Sequence, residues 1–144
     1  GNAELEHAVT FSEIEGRPWP EELQVFPIDG VPFLDETVFF HRPTGTLIGA
    51  DLALGACSKD HWTWRLAARA LGVYGTLGVS RDIRWKTKAV EETARCLRRI
   101  LELPIEQLSV AHADLVSERP ADTLAEAWSY VLKRFPDAAS SQAS

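Results

Sequence analysis

The sequence predicts a small α+β domain, from the order and the kind of its apolar segments. Segments rich in β-branched and aromatic residues come first, and segments with apolar residues at helical spacing follow them. Strands in succession followed by helices favour an α+β layer over a doubly wound parallel sheet. The chain has 144 residues, of which 45% are hydrophobic, so it is long enough to bury a core without disulfide bonds or metal ions.

We expect three parts along the chain. The segment GRPWP at positions 16–20 cannot continue a helix, because proline lacks a backbone donor and restricts the residue before it. Residues 1–22 are therefore expected to be irregular, and residues 23–135 form the single predicted α+β domain. Residues 136–144, rich in alanine and serine, are expected to be a disordered tail.

The clearest strand signals lie at residues 36–41 (ETVFFH) and 46–52 (TLIGADL), which predict a β-hairpin. Between them, Pro43 and Gly45 occupy positions that a type I turn favours. Residues 23–28 contain a proline and predict a further strand at an edge of the sheet. Both hairpin strands carry apolar side chains on both faces, a pattern typical of strands that are covered on both sides.

Apolar residues at helical spacing predict three helices, each with a start and a stop signal: residues 59–71 after a Ser58 cap, the segment between Thr87 and Pro104, and residues 120–135. Trp62, Trp64 and Trp128 fall within these helices and are expected to be packed in the core or at an interface. Residues 72–85 are predicted to be irregular, because three glycines interrupt them, and residues 108–111 to form a short buried strand.

The charge and the apolar content exclude several classes of function. A net charge of -6 argues against nucleic-acid binding, which needs a basic patch to displace counterions from phosphates. No apolar run approaches the roughly 18 residues of a membrane span. Residues 1–10 lack the cationic start of a signal peptide, and two cysteines suit a reducing compartment, so we expect a cytoplasmic protein.

Two polar residues follow apolar runs that predict strands. Asp51 comes after residues 47–50, and His112 comes after residues 108–111. A carboxylate and an imidazole at strand ends are ligand types of a zinc, iron or manganese site. Asp114 falls on the same side as His112 if the strand continues. The alternative is that Asp51 caps a loop, that His112 is a satisfied histidine, and that the protein is metal-free.

Two more histidines and two cysteines complete the set of candidate residues. His41 ends a predicted strand and His61 begins a predicted helix, so each is a further metal candidate, with a surface role as the alternative. Cys57 lies on a predicted loop and is a candidate nucleophile, although the spacing assigns it no histidine partner. Cys96 falls beside the apolar stripe of the second helix and is expected to be in the core.

Residues 36–51 (ETVFFHRPTGTLIGAD), together with VAHAD at 110–114, resemble the second half of a metallo-β-lactamase-fold protein. The resemblance covers roughly residues 17–132 and is to an uncharacterised branch described only as a domain of unknown function. It implies half of an αββα sandwich, with a mostly antiparallel sheet and about three helices on one face. By position, the metal-bridging acid falls on Asp51 and the ligand histidine on His112, with Ala113 in place of the usual glycine.

One departure from this family pattern bears on function. The His-x-His-x-Asp-His motif of the first half is absent from this sequence. The resemblance therefore implies a hydrolase-like protein of unknown substrate, a fragment or a reduced member, whose metal site is incomplete. Self-association or a missing N-terminal half would cover the second face of the sheet, and a small molecule is a further expected ligand. The alternative is a catalytically inactive domain for association or ligand binding.

Overall fold

The computed structural model describes residues 21–31, 34 and 36–136. Over these residues the chain forms four strands, which are β1 (Leu23–Pro27), β2 (Thr37–His41), β3 (Thr46–Ile48) and β4 (Gln107–Ser109). It also forms five helices, which are α1 (Trp62–Leu71), α2 (Arg81–Lys86), α3 (Val90–Leu101), α4 (Pro120–Ala127) and α5 (Ser129–Leu132). The predicted α+β class is confirmed. Residues 137–144 of the predicted disordered tail and residues 1–20 of the predicted irregular N-terminal segment lie outside the described residues.

The four strands form one mixed sheet in the order β1-β2-β3-β4. β1 and β3 each pair antiparallel with β2, whereas β4 pairs parallel with β3. The predicted hairpin is confirmed, and its turn is a 3₁₀ turn over Arg42–Thr44. The second hairpin strand ends at Ile48 rather than at residue 52, because the N–H groups of Ala50 and Asp51 bond to a side chain instead of a neighbouring strand.

The inner face of the sheet forms the main core with α3, α4 and α5. It contributes Val38 and Phe40 of β2, Leu47 of β3 and Leu108 of β4, all fully or almost fully buried. On the outer face the burial is lower, and Ile48 is 39% exposed. α1 packs elsewhere, in a second and smaller cluster that includes Ala68, Leu54, Ala56 and Val73. The expectation of about three helices on one face is therefore wrong for α1, which does not pack on the sheet with the others. Trp62 of α1 is 65% exposed, so it is not part of the core.

The helices differ from the predicted ones at four places. α2 lies in a stretch predicted to be irregular, because a six-residue helix that buries Ile83 alone shows no apolar period. α1 begins after His61 rather than Ser58, and α3 begins at Val90 rather than after Thr87, whose hydroxyl donates to the Ile83 carbonyl at the end of α2. The third predicted helix is divided at Trp128 into α4 and α5.

Among the described residues, no helix has the length and apolarity that crossing a bilayer requires.

Candidate functional site

Asp51 and His112 lie close together at one edge of the sheet. β3 and β4 run parallel, so their carboxyl ends meet at the same edge, and Asp51 follows β3 while His112 follows β4. The Asp51 Oδ1 atom is 4.0 Å from His112 Nε2, and the two side chains are 53% and 51% exposed. The structure thus brings together two of the predicted site residues, which are 61 positions apart along the chain (112 − 51).

Backbone hydrogen bonds extend the pairing of β3 and β4 toward this site. The Gly49 N–H donates to the Ser109 carbonyl at 2.9 Å, and the Ala111 N–H donates to the Ala50 carbonyl at 3.1 Å. Beyond them, the His112 carbonyl accepts from the Gly55 N–H at 3.1 Å. The backbones next to both site residues are therefore fixed relative to each other.

The His112 imidazole packs against the indole of Trp64, which α1 presents to the site. The ring centroids are 5.2 Å apart and the planes are inclined by 38°. The Trp64 Nε1–H donates to the Gly55 carbonyl at 3.2 Å, which fixes the orientation of the indole. Helical spacing alone indicates that Trp64 is packed, but it does not reveal a partner so far away in sequence.

A cleft of about 570 Å³ adjoins His112. Its volume lies within the range of small-molecule sites, about 300–1,000 Å³. Apolar and charged groups share the lining, which includes Trp64, Leu77, Val116, Lys59, Asp60, Asp114 and Cys57. Asp60 also holds the loop in shape, because its Oδ2 accepts from the Cys57 N–H at 2.6 Å. The cleft and the Asp51–His112 pair therefore adjoin each other through His112.

The other predicted metal candidates are placed differently. Asp114 lines the cleft beside His112. His41 lies at the opposite end of the sheet, where it pairs with Thr46 and its Nδ1 is 2.8 Å from Thr44 Oγ1. His61 caps α1 by accepting from the Thr63 N–H. Across residues 21–31, 34 and 36–136, no three His, Cys, Asp or Glu side chains are grouped so as to hold a metal ion.

The Asp51–His112 pair itself fits two positions of a divalent metal site. Zinc binds histidine nitrogen and carboxylate oxygen at about 2.0–2.2 Å, which places two tetrahedral ligands roughly 3.4 Å apart. The observed separation of 4.0 Å is somewhat wider. Two half-exposed side chains can close such a gap by small rotations, so the donor chemistry and the spacing both suit a metal. The described residues supply two donors and leave the remaining positions to other groups.

Sequence reasoning missed Glu36, which begins the predicted hairpin. Its side chain is buried, with 7% exposed, and accepts hydrogen bonds from the Ala50 N–H at 2.6 Å and the Asp51 N–H at 3.1 Å. A buried carboxylate is uncommon unless it is paired in this way. In the sequence, Glu36 appears only as an acidic residue at the start of an apolar strand. That pattern does not indicate which backbone groups its carboxylate would bind.

The two cysteines differ in environment, which predicts unequal reactivity. Cys57 is exposed, whereas Cys96 is buried, donates from Sγ to the Pro27 carbonyl, and has its pKa raised by burial. At pH 8 we expect iodoacetamide to modify Cys57 on the order of 100-fold faster than Cys96, because the thiolate is the nucleophile and a buried thiol needs an opening motion. Peptide mass mapping over time measures both rates. Cys57→Ser should remove the fast phase and Cys96→Ser should keep it; equal rates would contradict the placement of Cys96.

An imidazole beside a carboxylate supports two kinds of chemistry. The pair can hold a divalent cation, or, once the 4.0 Å gap is closed to a hydrogen bond, the carboxylate can orient the imidazole as a general base. A reaction by either route needs a substrate next to His112, and the cleft provides space for one. No family model matches this sequence, and a search of the curated proteins finds no significant match.

Proposed function

We propose that this chain is a metallo-β-lactamase-like half domain, in which Asp51 and His112 supply two ligands of a divalent metal site in a hydrolase-like protein. The observation that carries the proposal is the 4.0 Å approach of Asp51 Oδ1 to His112 Nε2 at the ends of two parallel strands. Zinc, iron and manganese all accept this donor pair. When bound, such a metal would lower the pKa of a coordinated water and so supply a nucleophile near neutral pH.

The chain's own residues have distinct roles in this proposal. Asp51 and His112 are the metal ligands, and the cleft beside His112 receives the substrate. The Trp64 indole contacts the His112 imidazole in a tilted arrangement, with the ring centroids 5.2 Å apart, and supports the ring from the side of α1. Asp114, on the cleft wall, is placed to orient a ligand or a bound water.

The remaining ligands come from a second polypeptide segment or from a second copy of this chain. The outer face of the sheet supports this part of the proposal, because Ile48 is 39% exposed there and Val25 is half-buried. In an αββα sandwich that face packs against a second sheet. We place the protein in the cytoplasm, where both unpaired thiols stay reduced.

A catalytically inactive domain for association or ligand binding is the second candidate. It is favoured by one observation, that the described residues bring two metal donors together and not three. The cleft next to Trp64 does not depend on a metal, so it can receive a small molecule in either case. The two candidates differ in what they expect of metal content and of subunit number.

Native mass spectrometry after Zn²⁺ titration separates them, because it reports metal content and oligomeric state together. Under the first candidate we expect zinc bound to the chain, and Asp51→Ala combined with His112→Ala to lower its affinity by at least about 100-fold. Loss of both ligands costs more than loss of an outer-shell contact, which costs about 10–100-fold. His41→Ala is the matched control, since it removes a histidine at the other end of the sheet.

Unchanged zinc affinity in the double variant would show that Asp51 and His112 are not the ligands. A metal-free dimer would favour the association domain instead. A metal-free monomer would contradict both the metal site and the need for a second copy on the outer face of the sheet.

A further inference from the structure

We propose that Glu36 is a positioning residue, which sets the distance between Asp51 and His112 through the backbone that carries both. This inference rests on the proposed function only in naming what the pair binds. The geometry of Glu36 is independent of any metal. Its buried side chain reaches from the start of β2 to the loop after β3, where it accepts from two successive N–H groups, those of Ala50 and Asp51.

Glu36 is itself firmly held. Its backbone carbonyl accepts from the Ile28 N–H at 2.9 Å, which extends the pairing of β1 with β2 by one residue. The side chain therefore has a fixed base in the sheet, and the loop bonds to it. A carboxylate that accepts two backbone N–H groups forms charge-assisted bonds, which are stronger than bonds between neutral groups.

The loop after β3 is hydrogen-bonded both to Glu36 and to the segment that carries His112. Ala50 donates its N–H to Glu36 and accepts at its carbonyl from the Ala111 N–H, at 3.1 Å. His112 is the next residue after Ala111, and Asp51 is the next after Ala50. Each member of the 4.0 Å pair is thus one residue along the chain from a backbone group in the hydrogen-bonded path that begins at Glu36.

Gly49 permits this close approach. A Cβ atom at position 49 would lie 3.2 Å from Glu36 Oε1 and 2.9 Å from the Cβ of Leu52. Any side chain at Gly49 would therefore push against the Glu36 carboxylate or against the buried Leu52. Gly49 leaves the space that the Glu36 carboxylate occupies, and the two residues together hold the loop after β3 in place.

The test compares Glu36→Gln with the wild-type chain. Glutamine keeps the length of the side chain but loses the charge, and it places an amide N–H₂ opposite one of the two donors. Thr93→Val is the matched control, because Thr93 is also buried and its hydroxyl bonds to the carbonyls of Asp29 and Ala89, away from the loop. Two readouts are measured, amide hydrogen exchange by NMR and Zn²⁺ affinity by titration.

We expect Glu36→Gln to speed exchange of the Ala50, Asp51 and Ala111 amides by about 10-fold more than that of amides in α3, because only the loop loses its anchor. Zinc affinity should fall by about 10-fold, as for other outer-shell changes. Thr93→Val should speed exchange broadly and leave zinc affinity unchanged. Glu36→Ala, if it folds, should exceed Glu36→Gln in both effects.

The two readouts keep failure of the inference separate from failure of the proposed function. If Glu36→Gln speeds exchange equally in the loop and in α3, Glu36 is only a stabilising residue and the inference is wrong. If wild type binds no zinc, the proposed metal site is wrong, and the exchange pattern alone decides the role of Glu36. Localised exchange with unchanged zinc affinity would overturn the claim that the loop sets the distance between the ligands.

Discussion

Replacing Trp128 by alanine should destabilise the fold by about 4 kcal/mol, the cost typical of removing a buried tryptophan. Trp128 has 0% exposure and is among the largest buried side chains of the main core. Its indole Nε1–H donates to the Leu52 carbonyl at 2.9 Å, so truncation also leaves a buried acceptor without its donor. Urea unfolding followed by circular dichroism measures the loss of stability.

Two substitutions serve as controls for Trp128→Ala. Trp85→Ala removes the same side chain at a position that is 94% exposed, and it should change stability by less than about 0.5 kcal/mol. Trp128→Phe keeps a ring in the core but loses the donor, so its cost should be intermediate, about 1–3 kcal/mol. Similar losses at Trp85 and Trp128 would contradict the burial of Trp128.

The Trp128 bond also bears on the candidate site, because Leu52 follows Asp51 directly. The residues around Asp51 are held from two sides, by Glu36 at Ala50 and Asp51 and by the indole at Leu52. The loop that carries the candidate ligand Asp51 is thereby tied to a fully buried side chain of the main core. The helical spacing of Trp128 predicts that it is packed, but not that its nitrogen reaches this loop.

Local patterns predicted those parts of the site that depend on neighbouring residues. The turn and the β-branched strands predict the hairpin, and the apolar runs before Asp51 and His112 indicate these two residues as site candidates. Predicting that the two side chains lie close together requires one more fact, that β3 and β4 are parallel neighbours in the sheet. That pairing joins segments about 60 residues apart and leaves no local signal, so the sequence could name both residues but not their separation.

Other features depend on contacts that no local pattern contains. The sequence pattern predicts Glu36 to be the polar first residue of a strand. In the structure it is buried, because the loop after β3 turns back over it. α2 is too short to show an apolar period. Residue type alone predicts Ser58 as the cap of α1, whereas the structure has His61 in that role. The cleft is formed by three separate segments of the chain, so its lining could not be predicted.

Gly30→Ala should destabilise the fold by about 3 kcal/mol, through strain and overlap together. Gly30 has a φ of 86°, which costs an L-residue about 1–2 kcal/mol. A Cβ there would lie 2.5 Å from the Ala89 carbonyl oxygen and closer still to Thr93 Oγ1, so the turn after β1 would have to move off α3. Such overpacking typically costs a further amount of about 2 kcal/mol.

Gly75→Ala separates the two contributions. Gly75 has a similar φ of 76°, but a Cβ at that position would meet no atom within 4 Å. Its replacement should therefore cost only the backbone strain, about 1 kcal/mol, and urea unfolding of both variants gives the difference. A larger loss at Gly30 means that the turn is locked against α3 by the Ala89 carbonyl and Thr93. Equal losses at the two glycines would mean instead that the turn relaxes away from α3 at little cost, and that β1 is held by its pairing with β2.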